Sequence, residues 1–295
     1  MIGRYGTLTA FREALEAHLA NASQRDGVDL QRLRRRVAFD RLLARLFHAD
    51  DPPWLLKGGY ALELRMPRRA RSTLDLDVMV KDPAGLVVVS TPEVSVIEAA
   101  YDRLQQAADA DLGDGFRFLI RRPRKQRDRP PWGGARCNVD ARLAGRSFVR
   151  FRLDLGLGDP VLGLPDWVEG SNLLEFAGIP APRVALCPAA QQLAEKVHAF
   201  SYPWQDRDNT RVKDLVDLVL LVDSGLLDPE SVRCSLRATF ETRSTHPLPP
   251  RLPQPPADWE EPFSALARDV GLPVETVEAA LDLLGARWEE WWAGE

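Results

Sequence analysis

The segment TLDLDVMV, residues 73–80, restricts the fold of this chain more than any other feature. Apolar residues alternate there with Asp75 and Asp77. A period of two is typical of a β-strand, in which successive side chains point to opposite faces. The two aspartates therefore share one face of a predicted strand and could hold a hard divalent cation together. An exposed polar strand face without a ligand would show the same alternation.

The segment WLLKGGYALELR lies ahead of the aspartates and contains Lys57, Gly58 and Gly59. A short apolar run, 54–56, leads directly into the glycines, and a helical pattern follows. This order predicts a strand, a tight turn and a helix. Glycines allow the backbone to approach a phosphate, and a helix N-terminus offers N–H groups and a positive dipole end. A plain tight turn is the alternative, but glycines and aspartates in this order together favour a phosphate and metal site.

Periodicity elsewhere predicts an α/β (α+β) fold with a mixed sheet in the first part of the chain and helices in the second. We expect N-terminal helices in residues 1–50, a sheet-containing lobe in 51–185 and a helical C-terminal lobe in 186–295. In the sheet lobe we predict further strands at 116–120, 136–142 and 147–155 and a helix at 94–112. In the C-terminal lobe we predict helices at 189–200, 208–224, 229–242, 262–270 and 273–292. The proline-rich residues 247–256 predict an extended connection.

Composition narrows the class of protein. A hydrophobic content of 45% and a charged content of 28% are typical of a globular protein. No apolar run is long enough to cross a bilayer and the N-terminus has no signal-peptide pattern, so we expect a cytoplasmic protein with no membrane association. Cys137, Cys187 and Cys234 are odd in number and far apart, which disfavours disulfides and zinc sites and predicts buried thiols.

The net charge of −4 argues against a protein that coats nucleic acid over its whole surface. A local basic segment is present at residues 117–129, which contain six arginines and one lysine. These side chains could contact a nucleic-acid backbone, and a solvated basic loop would have the same composition.

WLLKGGYALELR followed by RSTLDLDVMV resembles the nucleotidyltransferase-type toxins of the AbiEii family, which belong to the DNA polymerase β-like nucleotidyltransferase superfamily. In that family, helices that carry a lysine and an Arg-Asp or Lys-Asp pair follow in the C-terminal half. This chain offers AEKVHAF with Lys196 and RVKDLVDL with Asp214. The similarity runs over about residues 54–222. It implies a polymerase β-like nucleotidyltransferase lobe followed by a helical lobe.

The resemblance also implies roles for particular residues. Asp75 and Asp77 would bind metal and triphosphate and act as catalytic residues together with Lys196 and Asp214. The implied nucleotide-binding residues are Lys57, Gly58, Gly59, Arg71 and Thr73.

Alternatives remain for the C-terminal residues. Lys196 lies among apolar neighbours and could extend from a packed helix with no role in catalysis. Lys213 and Asp217 are four residues apart, so an ordinary helical ion pair could explain part of the cluster. We expect Asp214 to be functional and Asp217 to be structural.

A third metal ligand is common on a later strand of the superfamily. The segment FRLDLGLGD offers Asp154, which alternates with apolar residues, and Asp159, which lies in a glycine-rich turn. We favour Asp154 and leave Asp159 as the competitor.

Together these features predict a Mg²⁺- or Mn²⁺-dependent, pyrophosphate-releasing nucleotidyltransferase toxin of a type IV-like toxin–antitoxin system. The resemblance implies a nucleoside triphosphate as substrate, the 3′ end of RNA or tRNA as acceptor, a block of translation, and a cognate antitoxin. One alternative is a nucleotidyltransferase that modifies a small molecule or a protein. Another is a catalytically silent protein that binds nucleotide or RNA.

Overall fold

In the computed structural model of the protein, strands whose side chains alternate between two faces form one mixed β-sheet. The structure describes residues 5–67, 69–82, 96–123, 126–127, 133–159, 161–204 and 209–293. Within these residues the chain forms two compact units. The first comprises Met1–Tyr60, Ser72–Gly158 and Trp167–Leu186, and the second comprises Ala61–Arg71, Asp159–Asp166 and Cys187–Glu295.

The sheet has eight strands among the described residues, in the order β3-β5-β6-β2-β1-β8-β7, with β4 paired to β5. The pairs β2–β6 and β1–β8 are parallel, whereas β1–β2, β3–β5 and β5–β6 are antiparallel. The strands are β1 (Trp54–Lys57), β2 (Asp75–Val80), β3 (Phe116–Ile120), β4 (Gln126–Arg127), β5 (Gly134–Leu143), β6 (Arg146–Gly156), β7 (Asp166–Glu169) and β8 (Arg183–Leu186). The predicted mixed sheet is therefore confirmed.

Strands β7 and β8 were not predicted from the sequence. β8 has only three apolar residues after Arg183 and lies close to Pro182 and Pro188, so it is too short to show a period. β7 ends the strand order and alternates between half-buried and exposed side chains, so it lacks the apolar face that identifies a strand in a sequence.

Three helices of the first unit are α1 (Leu8–Asp26), α2 (Leu30–Leu46) and α4 (Val96–Ala108). The side chains of Thr7 and Asp29 cap the first two by accepting hydrogen bonds from backbone N–H groups of the first turn. In α2, the ring of Phe39 packs against Phe151 of β6 and against Tyr60, with ring centres 4.8 and 4.9 Å apart. The apolar face of the sheet is therefore covered by α2, which holds β6 in place.

Helix α3 (Gly58–Arg65) follows β1 directly, as the strand–turn–helix pattern predicts. The second unit contains α5 (Ala189–Phe200), α6 (Val212–Asp223), α7 (Pro229–Arg243), α8 (Glu260–Val270) and α9 (Val277–Trp292). These helices enclose an apolar core that includes Leu193, Val219 and Phe263. Residues 247–256 contain neither helix nor strand, as their prolines predict.

Three further expectations can be compared with the structure. Among the described residues, no helix is both long and apolar enough to cross a membrane. The prediction of three buried thiols was wrong for Cys234, which is exposed, whereas Cys137 and Cys187 are buried. Cys234 lies on α7, on a side of the helix other than the one that buries Val232, Leu236 and Phe240. Residues 124–125 and 128–129 of the basic segment lie outside the described residues, as do residues 94–95 of the helix predicted at 94–112.

Candidate active site

The turn after β1 places Gly58 directly against the carboxylate of Asp77. Gly58 has a φ of +68°, a backbone conformation that residues other than glycine rarely adopt. A Cβ atom at this position would also lie 2.1 Å from Oδ2 of Asp77. Only glycine therefore fits, and the start of α3 is held close to one of the predicted metal ligands.

Register across the sheet places four charged residues in one row. Lys57 of β1 pairs with Asp77 of β2, Asp77 pairs with Asp154 of β6, and Asp154 pairs with Arg136 of β5. Paired residues of neighbouring strands face the same side of a sheet. The row thus has two carboxylates at its centre and a cation at each end. Asp75, two residues before Asp77, shares this face.

Arginines bind two of the three carboxylates on this face. Arg136 donates to both oxygens of Asp154, from Nε at 2.7 Å and Nη2 at 2.6 Å. Arg152 donates to both oxygens of Asp75, from Nε at 2.8 Å and Nη2 at 3.1 Å. The hydrogen bond with Asp154 raises the pKa of Arg136 further above its usual value. Both pairs have the bidentate geometry that suits guanidinium and carboxylate groups.

The carboxylates fit a hard divalent cation in their chemistry. Asp75, Asp77 and Asp154 offer oxygen donors from two neighbouring strands on one face. Within the described part of the chain, no group of three or more acidic, histidine or cysteine side chains already has the arrangement of a metal site. The guanidinium groups of Arg136 and Arg152 now occupy oxygens that a cation would use. A bound ion would have to take their place.

Three other residues named from the sequence lie as follows. The Thr73 hydroxyl donates to the backbone carbonyl of Asp75 at 3.2 Å, just before β2 begins. The Lys57 side chain runs over Gly156, where an added Cβ would lie 3.5 Å from its Nζ. Asp159 belongs to the second unit, where Nε and Nη2 of Arg243 approach its Oδ1 at 2.9 and 2.8 Å. Asp154, unlike Asp159, thus lies in the row with Asp77.

In the second unit, Lys196, Asp214, Asp217 and Arg71 form one buried network. Nζ of Lys196 lies 3.1 Å from Oδ1 of Asp214 and 2.6 Å from Oδ2 of Asp217. Arg71 donates to both oxygens of Asp217, at 3.0 and 2.7 Å. Arg211 lies 3.3 Å from the remaining oxygen of Asp214. Lys196 thus contacts Asp214 and Asp217 directly, and Asp217 links Lys196 to Arg71.

Charges within this network offset the cost of burial. Burial alone would lower the pKa of Lys196, but Asp217 and Asp214 outweigh it and raise that pKa. Burial alone would raise the pKa of Asp214, but Lys196 and Arg211 outweigh it and lower that pKa. Lys196 is therefore protonated and Asp214 ionised at neutral pH, so Lys196 can present positive charge but cannot accept a proton.

Sequence analysis did not single out Arg136, Arg152 or Asp40. Arg152 could have been found, because it alternates with Asp154 along FRLDLG and so shares its face. Nothing local marks Arg136. Asp40 is buried and accepts hydrogen bonds from the Tyr60 hydroxyl at 2.6 Å and from Ser171. Tyr60 follows the glycine pair, so Asp40 helps to anchor the start of α3.

Comparison with known proteins identifies the family. The model described as "Nucleotidyl transferase AbiEii toxin, Type IV TA system" matches residues 41–288. The chain belongs to the AbiEii toxin family. As a member it is a nucleotidyltransferase of a toxin–antitoxin system. A search of curated proteins gives no match.

Comparison with solved structures gives one match that supports the fold. MenT4, a nucleotidyltransferase toxin from Mycobacterium tuberculosis, is similar at a TM-score of 0.58 and 18% identity, over 96% of this chain and 90% of that one. The antibiotic-resistance factor ANT(2'')-Ia aligns at a TM-score of 0.36 and 17% identity, over 71% and 92% of the two chains. A nucleotidyltransferase-like protein from Paracoccidioides brasiliensis aligns at 0.36 and 12%, over 82% and 94%. The similarity to MenT4 supports a shared nucleotidyltransferase fold, and the two lower scores support no conclusion.

Proposed function

We propose that the protein transfers a nucleoside monophosphate from a nucleoside triphosphate to the 3′ end of RNA, in particular tRNA, and thereby blocks translation. The observation that carries this proposal is the shared face of Asp75, Asp77 and Asp154, with Gly58 packed against Asp77. A phosphoryl-transfer site requires paired carboxylates beside a glycine turn. The carboxylates bind a metal ion, and the glycine turn lets a phosphate approach the backbone.

Each part of this face has a proposed task. Asp75, Asp77 and Asp154 would hold Mg²⁺ or Mn²⁺. When bound, such an ion polarises the α-phosphate and offsets the charge that develops on the leaving pyrophosphate. The backbone at Gly58 and Gly59 and the ammonium of Lys57 would bind the triphosphate, and Thr73 would line the same region. In the reaction, the acceptor hydroxyl oxygen would bond to the α-phosphorus and lose its proton to solvent. The bond from that phosphorus to the α–β bridging oxygen would break, and pyrophosphate would leave.

The family resemblance also assigns Lys196, Asp214 and Arg71 to the reaction, and their buried network is compatible with those roles. Lys196 keeps its proton and so offers positive charge to a phosphate. Asp214 and Asp217 fix the position of that charge through direct hydrogen bonds. A fixed charge costs no reorganisation during the reaction, which is the condition for effective electrostatic catalysis.

Membership in a toxin family supports the choice of acceptor. A nucleotidyltransferase is toxic only if its acceptor is essential, and a nucleotide added to the 3′ end of tRNA would remove that tRNA from translation. A toxin–antitoxin system also implies a cognate antitoxin that restrains the activity. We therefore propose RNA as the acceptor and an antitoxin as the cellular partner.

A labelling experiment tests the proposal. Purified protein is incubated with Mg²⁺, total RNA and each α-³²P-labelled nucleoside triphosphate in turn, beside the Asp75→Asn variant and an Asp111→Asn control. Asp111 is exposed and pairs with Arg117, away from the row of carboxylates. Label that enters RNA with wild type and control but not with Asp75→Asn supports the proposal. Label on protein or on a small molecule would show that the acceptor is not RNA. No label on any acceptor would favour a catalytically silent site.

A further inference from the structure

A groove rich in arginine lies on the sheet of the first unit, beside Asp75. Its volume is about 450 Å³. The groove is formed where the pairing of β2 with β6 begins, at Asp75 and Arg152. Its charged lining residues are Arg35, Arg121, Arg150, Arg152, Asp75 and Asp140. With four arginines against two aspartates, the lining has a net positive charge.

The position of the groove relative to the aspartates separates a place for the nucleotide from a place for the acceptor. Along β2, Asp77 is the residue that pairs with Lys57 and contacts Gly58. Asp75 lies two residues away, about 6.7 Å along a strand, and lines the groove. β2 pairs on one side with β1, which ends at the glycine turn, and on the other side with β6, which carries the groove residues Arg150 and Arg152. The glycine turn and the groove therefore lie on opposite sides of β2. If the nucleotide's phosphates occupy the glycine side, the groove is left for the acceptor.

The arginines of the groove can reach a ligand. Arg150 is 75% exposed and approaches Asp140 only at 3.6 Å, so the pair is loose and open to solvent. Arg150 and Arg152 lie on the same face of β6, about 6.7 Å apart along the strand. The backbone N–H of Arg121 donates to the carbonyl of Asn138 on β5, which fixes Arg121 beside them.

An apolar side chain completes the lining. Leu74 is 56% exposed, although it immediately precedes the buried part of β2, and it lines the groove next to the arginines. Cations and an adjacent apolar surface suit a nucleic-acid strand, because phosphates need charge and the faces of ribose and base favour apolar contact. A fully hydrated small anion would gain nothing from Leu74.

We propose that this groove binds the phosphodiester backbone of the acceptor RNA strand near its reacting 3′ end, with Arg150 and Arg121 binding phosphates. The inference rests on the proposed function in placing the nucleotide at Gly58. It adds the site and polarity of acceptor binding, with RNA entering from the β5–β6 side and ending at Asp75.

A pair of double variants tests the groove. In Arg121→Ala/Arg150→Ala two groove cations are removed, and in Arg25→Ala/Arg103→Ala two exposed arginines of the same unit outside the groove are removed. Both variants have the same net charge. Binding of a fluorescently labelled single-stranded RNA to the full chain without nucleotide is followed by anisotropy over a range of salt concentrations. Melting temperature verifies that each variant is folded.

The groove variant should bind RNA about tenfold more weakly, and the slope of log Kd against log salt should fall by about 1.4, or 0.7 for each phosphate that the variant no longer neutralises. The control should retain the affinity of wild type, and the KM for nucleoside triphosphate should not change in either. Equal RNA affinities for groove and control variants would overturn the proposal. A wild type that binds RNA in the groove but transfers no label to it would instead overturn only the proposed function.

Discussion

The two units use the same residue types in different ways. In the first unit, Asp75 has a 24% exposed side chain and is bound by Arg152, which solvent also reaches. In the second unit, Asp217 is completely buried and is bound by Lys196 and Arg71. An exposed ion pair contributes at most about 1 kcal/mol, so its partners exchange easily. Removal of one partner from a buried ion pair leaves an uncompensated charge in the interior, so the two side chains of such a pair stay together.

This difference teaches which carboxylates can take part in binding events. In the proposed metal site, the arginines bound to Asp75 and Asp154 would be displaced by the cation. The buried Asp217 binds Lys196 and Arg71 and so fixes the position of Lys196. Exposure, not residue type, separates an exchangeable ligand from a structural one.

The largest effect is expected at Asp217. Asp217→Asn should lower the free energy of unfolding by about 3–5 kcal/mol, because Lys196 and Arg71 are left buried without their carboxylate. Asp223→Asn on the same helix is the matched control, since Asp223 pairs with Arg69 near the surface and should cost less than about 1 kcal/mol. Urea unfolding measures both. Equal losses would remove the distinction between buried and exposed pairs.

Asp75 should show the opposite profile. Asp75→Asn should reduce nucleotidyl transfer by at least about a hundredfold. The metal ion would lose a ligand, and the charge of the transition state would be stabilised less well. Its unfolding free energy should change by less than about 1 kcal/mol because the pair with Arg152 is exposed. Transfer rate and urea unfolding are measured on the same preparation. Transfer at the wild-type rate would exclude Asp75 from the site.

Gly58 tests the packing behind the carboxylates. Gly58→Ala should lower transfer by about tenfold or more, because the new Cβ must displace Asp77, and strain at positive φ should cost about 1–2 kcal/mol of stability. Gly113→Ala is a matched control, since Gly113 has a φ of +69° with nothing within 4 Å of an added Cβ. It carries the strain without the clash. Similar transfer rates for the two variants would show that strain alone explains the effect.

Removal of Arg136 tests whether this arginine competes with a metal ion for Asp154. Arg136→Gln frees Asp154, so Mn²⁺ should bind up to about fivefold more tightly, the equivalent of a surface ion pair of about 1 kcal/mol. Electron paramagnetic resonance of free Mn²⁺ measures the affinity without any need for activity. Arg117→Gln, on β3, should leave the affinity unchanged. Weaker binding by Arg136→Gln would mean that Arg136 supports the site and does not compete for it.

Asp40 extends the comparison to a carboxylate whose burial outweighs its hydrogen-bond donors and the charge of Arg36. Burial raises its pKa from 3.8 to about 6, although Ser171 and Tyr60 donate to it. The protonated form therefore stabilises the fold below pH 3.8, and that contribution is lost as the pH rises through about 6. Between about pH 5 and 7 the unfolding free energy should fall by about 1 kcal/mol. Asp40→Asn should remove this dependence, and an identical pH profile in the variant would contradict the assignment.

Local patterns were sufficient for much of this protein. The alternation in 73–80 predicted β2, and the glycine pair predicted the turn into α3, because strand period and glycine conformation are properties of a few consecutive residues. The helices of the second unit followed from their 3.6-residue period. The resemblance to the AbiEii family, carried by two short motifs, was confirmed over residues 41–288.

Partners distant in sequence could not be predicted in this way. Arg136 binds Asp154 and Arg152 binds Asp75 only because β5, β6 and β2 come into register, and strand register depends on the packing of the whole apolar face. Cys234 shows the same limit, since exposure on a helix depends on which face meets the core.

The sequence by itself determined most of the element types, the glycine turn, the shared face of Asp75 and Asp77, and the family. Only the tertiary structure decided which cation binds which carboxylate, how deeply each pair is buried, and that an arginine groove lies beside Asp75. The physical reason is that period and turn propensity are local. Burial and pairing depend on residues such as Arg71 and Asp217, which lie far apart along the chain and become neighbours only when the unit is packed.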